Sequence, residues 1–103
     1  MSQVSVVANL TVKEGKEDEF LALWDDLIAH IQANEPGCLH YTIHQSTTEP
    51  NVFYVTELYD DQAAFDAHMS SDAFASFGAS LGDVVEGGGM QILTPVKSAR
   101  PLP

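Results

Sequence analysis

Three side chains in this sequence are placed to move protons: His68, Glu57 and Tyr59. Imidazole titrates close to neutral pH, so a histidine can take and return a proton without a large change of environment. His68 falls on the apolar side of the segment that follows Asp60-Asp61, one turn from Phe65 and beside Met69. Glu57 shares one face of an alternating stretch with Phe53, Val55 and Tyr59. A carboxylate in that phase is costly to bury unless it is paired, hydrogen-bonded or protonated, and Lys13, Lys16 and Arg100 are the candidate ion-pair partners. Tyr59, two residues on, is suited to orienting a substrate hydroxyl. Each also has a purely structural reading: His68 as a core histidine held by a backbone carbonyl or a second subunit, Glu57 as half of an ion pair, Tyr59 as a half-buried strand tyrosine.

Other chemistries find less support. His40 and His44 are four apart in a strand pattern, hence roughly 13 Å apart along it, too far to share one ion directly. Gly87-Gly88-Gly89 neither follows a strand nor opens a helix, so it is read as a helix stop rather than a phosphate cradle. Cys38, the only cysteine, follows Gly37 and reads as a small residue opening a strand. No metal site is expected. The formal net charge of −11, from fifteen acidic and four basic residues, sits mainly on solvated helix faces and turns. It repels phosphate backbones and anionic head groups, so neither nucleic acid nor membrane is an expected partner.

These residues need elements to hold them. Val4 to Val12 is rich in β-branched side chains and places Val4, Val6, Ala8, Leu10 and Val12 on one face. After the turn Lys13-Glu14-Gly15-Lys16, the residues Phe20, Leu23, Trp24, Leu27, Ile28 and Ile31 recur at three- and four-residue spacing, predicting an amphipathic helix that ends near Asn34-Glu35-Pro36-Gly37. Leu39, Tyr41 and Ile43 alternate with polar neighbours, Thr47 to Asn51 makes a loop, and Val52 to Tyr59 alternates again, predicting a hairpin. A helix starts at Asp60-Asp61, Ser70-Ser71-Asp72 interrupts it, a second runs from Ala73 to about Val85, and a last strand spans Met90 to Val96 before a frayed tail. The order β-α-β-β-α-α-β predicts an α+β, ferredoxin-like split β-α-β sandwich: a four-stranded antiparallel sheet with helices on one face. Residues 1–103 make a single domain, with a core at about 4–96 and a tail at 97–103. Apolar side chains on the other sheet face predict a homodimer through that face, closing a barrel-like core. Trp24, Asn9, Phe53, Phe65, Phe74, Phe77 and Met90 are the residues that would line a pocket between sheet and helices. With no disulfide pair, no leader pattern and no run near the ~18 to 20 apolar residues of a membrane span, the chain reads as cytoplasmic.

Four segments in order, Val12 to Phe20, Asn34 to Tyr41, Glu57 to Asp61 and Ala63 to Phe74, strongly resemble the antibiotic biosynthesis monooxygenase domain, particularly its quinol monooxygenase branch. The resemblance covers Val4 to Val96. It implies a dimeric α+β barrel and oxidation of a quinol or related small aromatic or polyketide compound with molecular oxygen, with no metal, flavin or haem cofactor. It also implies that the histidine of the Ala-His-x-x-Ser segment, here His68, faces the pocket, where a base would favour the substrate anion that passes an electron to oxygen. The asparagine, tryptophan and histidine of the related haem-degrading branch align with Ala8, Tyr59 and Gly78, which disfavours that chemistry. Fold is not function: an isomerase or lyase acting on a small hydroxy-ketone, and a non-catalytic ligand-binding dimeric module, are the alternative readings.

Overall fold

Seven elements follow one another in the computed structural model, which describes residues 2–103: β1 (Val4–Val12), α1 (Glu17–Asn34), β2 (Cys38–Gln45), β3 (Val52–Tyr59), α2 (Gln62–Met69), α3 (Asp72–Leu81) and β4 (Val85–Leu93). The strands lie in the order β2-β3-β1-β4 and every neighbouring pair is antiparallel. This is the expected ferredoxin-like arrangement.

Local chemistry sets the element boundaries. Gly15 turns the chain after β1 with φ of +82°, a backbone region that side chains beyond glycine avoid. Glu17, Asp18 and Glu19 then fill the first turn of α1, where carboxylates favour the helix dipole. The Asp61 side chain accepts the Ala64 amide at the start of α2, and the Ser71 hydroxyl accepts the Phe74 amide at the start of α3. The serine that interrupts one helix thus caps the next.

The core lies between the helices and one face of the sheet. Phe20, Trp24, Leu27 and Ile31 of α1 pack with Val12, Phe53, Val55, Phe77 and Val84. A smaller cluster joins Val4, Val6, Tyr59 and Phe65. Burying a Leu or Phe side chain stabilises by about 1.5–3 kcal/mol, so the four-residue stripe on α1 is enough to fix which way that helix faces.

The last third of the chain departs from expectation. The helix after Ser71 stops at Leu81 rather than Val85, and the triple glycine lies inside β4, which starts at Val85 and ends at Leu93. Gly88 faces Leu10 across the β1–β4 pairing, and a Cβ there would strike the Asn9 carbonyl. Glycine here permits close approach of two strands. β4 ends before Pro95, which has no amide proton to extend the ladder. Near the tip of the exposed tail, Gln3 Nε2 donates to the Pro103 carbonyl at 2.7 Å.

The second sheet face carries Ser5, Val7, Asn9 and Thr11 from β1, Val52, Tyr54, Thr56 and Leu58 from β3, and His40, Thr42 and His44 from β2. Val7 and Tyr54 are 39% and 45% exposed. The His40 and His44 rings lean toward each other, and Nε2 of each lies 2.9 Å from the Thr56 hydroxyl. The two residues are far apart along the β2 backbone, but side-chain reach brings both rings to one oxygen.

Candidate active site

A cavity of about 260 Å³ lies between the sheet and the helices. Ala8 and Leu10 of β1, Val55 of β3 and Met90 of β4 form its floor, Trp24 of α1 and Phe74, Phe77 and Leu81 of α3 its roof, and Tyr41 of β2 and Glu57 of β3 its polar side. Strand alternation places Glu57 here, in register with Tyr41 on one side and Val6 on the other.

Glu57 is 8% exposed. Its Oε1 accepts a hydrogen bond of 2.6 Å from the Tyr59 hydroxyl, not the ion pair with Lys13, Lys16 or Arg100 that was the alternative. Burial raises the carboxyl's pKa, while the Tyr59 hydrogen bond and the charge of His68 act in the opposite direction. A carboxyl so placed takes up a proton more readily than one in water. Tyr59 is fully buried; burial and the neighbouring Glu57 push its phenol well above the usual range, so it acts as a donor rather than as a base. Burial does the same for Tyr41, with Glu57 adding to it.

His68 is 1% exposed and stands one layer back from the cavity. Its ring packs at 5.0 Å from Phe74 and 5.4 Å from Tyr41, both of which line the cavity, and at 5.5 Å from Tyr59. His68 thus does not itself face the pocket as expected; Phe74 and Tyr41 stand between. Its Nδ1 lies 2.8 Å from Oε1 of Glu35, a residue that sequence reasoning placed in a turn and gave no role. Gly37 explains how α2 comes so near that turn, since a Cβ at Gly37 would lie 2.6 Å from the Ala64 Cβ.

Of the other expected lining residues, Trp24, Phe74, Phe77 and Met90 do line the cavity. Trp24 Nε1 is buried with no hydrogen-bond partner. Phe53 and Phe65 do not reach it: Phe53 packs on Phe20 at 4.8 Å and Phe65 on Tyr59 at 5.3 Å. Asn9 borders the cavity by its position in β1, but alternation turns its side chain to the second sheet face, opposite Gly89 and Tyr54. Tyr41 was missed as a wall residue, although its phase with Ile43 placed it on the helix side. Cys38 opens β2 as expected; burial pushes its thiol up to about 11, which leaves little thiolate at neutral pH. Among the described residues no three His, Cys, Asp or Glu side chains converge to hold a metal ion, and no helix is long and apolar enough to cross a membrane.

Comparison with known proteins agrees with this architecture. Residues 3–80 match the family model described as antibiotic biosynthesis monooxygenase. An uncharacterized protein of Synechocystis sp. is 35% identical over 74 residues, 72% of this chain and 50% of that protein, so the match spans half the length of that relative. YcnE of Bacillus subtilis, whose name provisionally ascribes it monooxygenase activity, is 33% identical over 70 residues, 68% of this chain and 73% of that protein. A crystal structure from Caulobacter crescentus CB15, provisionally named an antibiotic biosynthesis monooxygenase, superposes with a TM-score of 0.88 at 38% identity, covering 93% of this chain and 92% of that one. Rv0793 from Mycobacterium tuberculosis shares the fold at a TM-score of 0.86 and 24% identity, covering 96% of this chain and 100% of that one. With its sheet order, its cavity between sheet and helices and these matches, the chain belongs to the antibiotic biosynthesis monooxygenase family.

Proposed function

We propose that this protein is a monooxygenase that oxidises a quinol or related small aromatic or polyketide compound with molecular oxygen in the cavity beneath α1 and α3, using no metal, flavin or haem. The observation that carries the reading is the cavity wall. One carboxyl, Glu57, and one phenol, Tyr41, stand in a wall that is otherwise largely apolar. An engineered apolar cavity of about 150 Å³ binds benzene, so about 260 Å³ suits a one- or two-ring compound.

In the proposed reaction Glu57 takes the phenolic proton. The phenolate passes an electron to oxygen, and recombination forms the new carbon–oxygen bond. For a simple phenol the products are a quinone and water: one oxygen atom enters the ring, the other leaves as water, and the substrate supplies all the electrons. Phe74 and Phe77 shield the radical pair on the helix side. His68, held by Glu35, opposes the burial penalty on the Glu57 carboxylate.

The same reading pairs two copies through the second sheet face. Its positions on β1, β2 and β3 carry no carboxylate, although the chain has fifteen acidic residues. A neutral face on so acidic a protein is suited to contact with its own copy.

Oxygen uptake by purified protein with a panel of hydroquinones tests the reaction, with protein-free controls for autoxidation. Glu57→Gln should lower protein-dependent uptake by a factor of about 10² or more, the usual contribution of a positioned base. No protein-dependent uptake across the panel would sink the reading and favour the isomerase or binding-module alternatives.

A further inference from the structure

The buried imidazole of His68 has a connection to solvent that avoids the cavity. Its Nδ1 meets Glu35 Oε1 at 2.8 Å, and the Glu35 side chain is itself only 7% exposed. The second carboxylate oxygen, Oε2, lies 3.1 Å from Nε2 of His30 on α1, whose side chain is 27% exposed. Asn34 Nδ2 donates to both the backbone carbonyl and Nδ1 of His30 at 3.3 Å each. With Nδ1 accepting, the ring proton of neutral His30 sits on Nε2, 3.1 Å from Glu35 Oε2 but not aligned on it. Glu35 Oε2 is buried and no well-aligned hydrogen bond reaches it, so that proton is the donor at hand.

We propose that His30 and Glu35 form a proton relay through which His68 exchanges protons with bulk water on the α1 side of the fold. His30 takes a proton from water on Nδ1, where it displaces the Asn34 amide, and releases the one on Nε2 to Glu35 Oε2. A half-turn of the carboxyl about its Cγ–Cδ bond carries that proton to the other imidazole, and a His68 ring protonated only on Nε2 accepts it on Nδ1, which leaves Nδ1–H donating to the Glu35 carboxylate as in the 2.8 Å contact. Glu35 returns to carboxylate and His30 to its resting tautomer by exchange with water, so the net change is one proton moved from solvent to His68. Each step is reversible, and the same path removes the proton. The titratable groups facing His68 are Glu35 from the turn before β2, Tyr41 from β2, and Glu57 and Tyr59 from β3. Of these Glu35 is the one in contact with a second histidine, His30. For its use the relay rests on the proposed oxygenation, in which the charge of His68 supports the Glu57 carboxylate; for its existence it does not.

The test therefore reads protons, not turnover. In 15N-labelled full-length protein, exchange of the His68 ring proton with water is measured beside exchange of the β3 backbone amides, in the unaltered protein and in Glu35→Gln and His30→Gln. Both substitutions keep a hydrogen-bonding side chain of similar reach but cannot relay a proton. Ring-proton exchange should slow at least tenfold in each variant while the β3 amides keep their rates. Exchange at the original rate in both variants, or ring exchange that follows the β3 amides in all three proteins, would overturn the relay, because the proton would then leave by opening of the fold. Failure of the oxygen-uptake experiment leaves this result standing, and the converse also holds.

Discussion

Glu57 and Tyr59 show what one hydrogen bond inside a low-dielectric wall does to a carboxyl. Burial favours the protonated form and the Tyr59 hydroxyl favours the ionised one, with burial the larger effect. Because the folded-state pKa lies above the unfolded one, the folded protein binds the proton more tightly, and the Glu57 contribution to stability is greatest below the unfolded pKa and is lost as pH rises through the folded value. Glu57→Gln cannot ionise and still accepts the Tyr59 hydrogen bond. Its melting temperature relative to the unaltered protein should be higher at pH 8 than at pH 4.5; an equal difference at both pH values would show that Glu57 titrates normally. The phase of this pair was legible in the sequence, since alternation from Val52 to Tyr59 puts both on one face. The partner of His68 was not legible. Glu35 stands beside a proline and a glycine in a turn, where an isolated carboxylate reads as solvated, and only the seating of α2 against Gly37 buries it.

Among the elements, β1 to β3 and α1 carried their own signatures: period two in the strands, the apolar stripe in the helix, a proline after the helix end. β4 did not. A run of three glycines has no side chains to alternate, so no periodicity marks Val85–Leu93 as a strand. What makes it one is pairing to β1, a long-range interaction, with the shift in register between Thr11 and Val12 accommodating the irregular start. The glycines are consequently not equivalent. A Cβ at Gly88 runs into the Asn9 carbonyl, whereas one at Gly87 meets nothing within 4 Å. Gly88→Ala should destabilise by about 1–3 kcal/mol through forced separation of the strands. Gly87→Ala should be neutral or stabilise by about 0.4–1 kcal/mol by restricting the unfolded chain. Urea denaturation of the two variants separates them, and equal effects would mean that β4 does not pack as closely as described.

For the whole molecule, the asymmetry between its two sheet faces matters most. One is covered by helices; the other presents Val7 and Tyr54 among serine, threonine and histidine side chains, and carries none of the chain's many carboxylates on β1 to β3. If two copies pair there, a carboxylate at Val7 would be buried without a partner, which costs several kcal/mol. Val7→Asp should shift sedimentation from dimer to monomer at micromolar concentration and leave far-ultraviolet circular dichroism unchanged. A dimer of undiminished affinity in that variant would place the interface elsewhere.

The single tryptophan of the chain is Trp24, and it stands in the cavity wall with its indole N–H unpaired. Indole emission depends on the hydrogen bonding and polarity around the ring, and here no second indole dilutes the signal. The protein thus contains its own fluorescent reporter of cavity occupancy, read without labels and before any reaction has been identified. A change in emission during a titration would come from the place where the proposed chemistry happens.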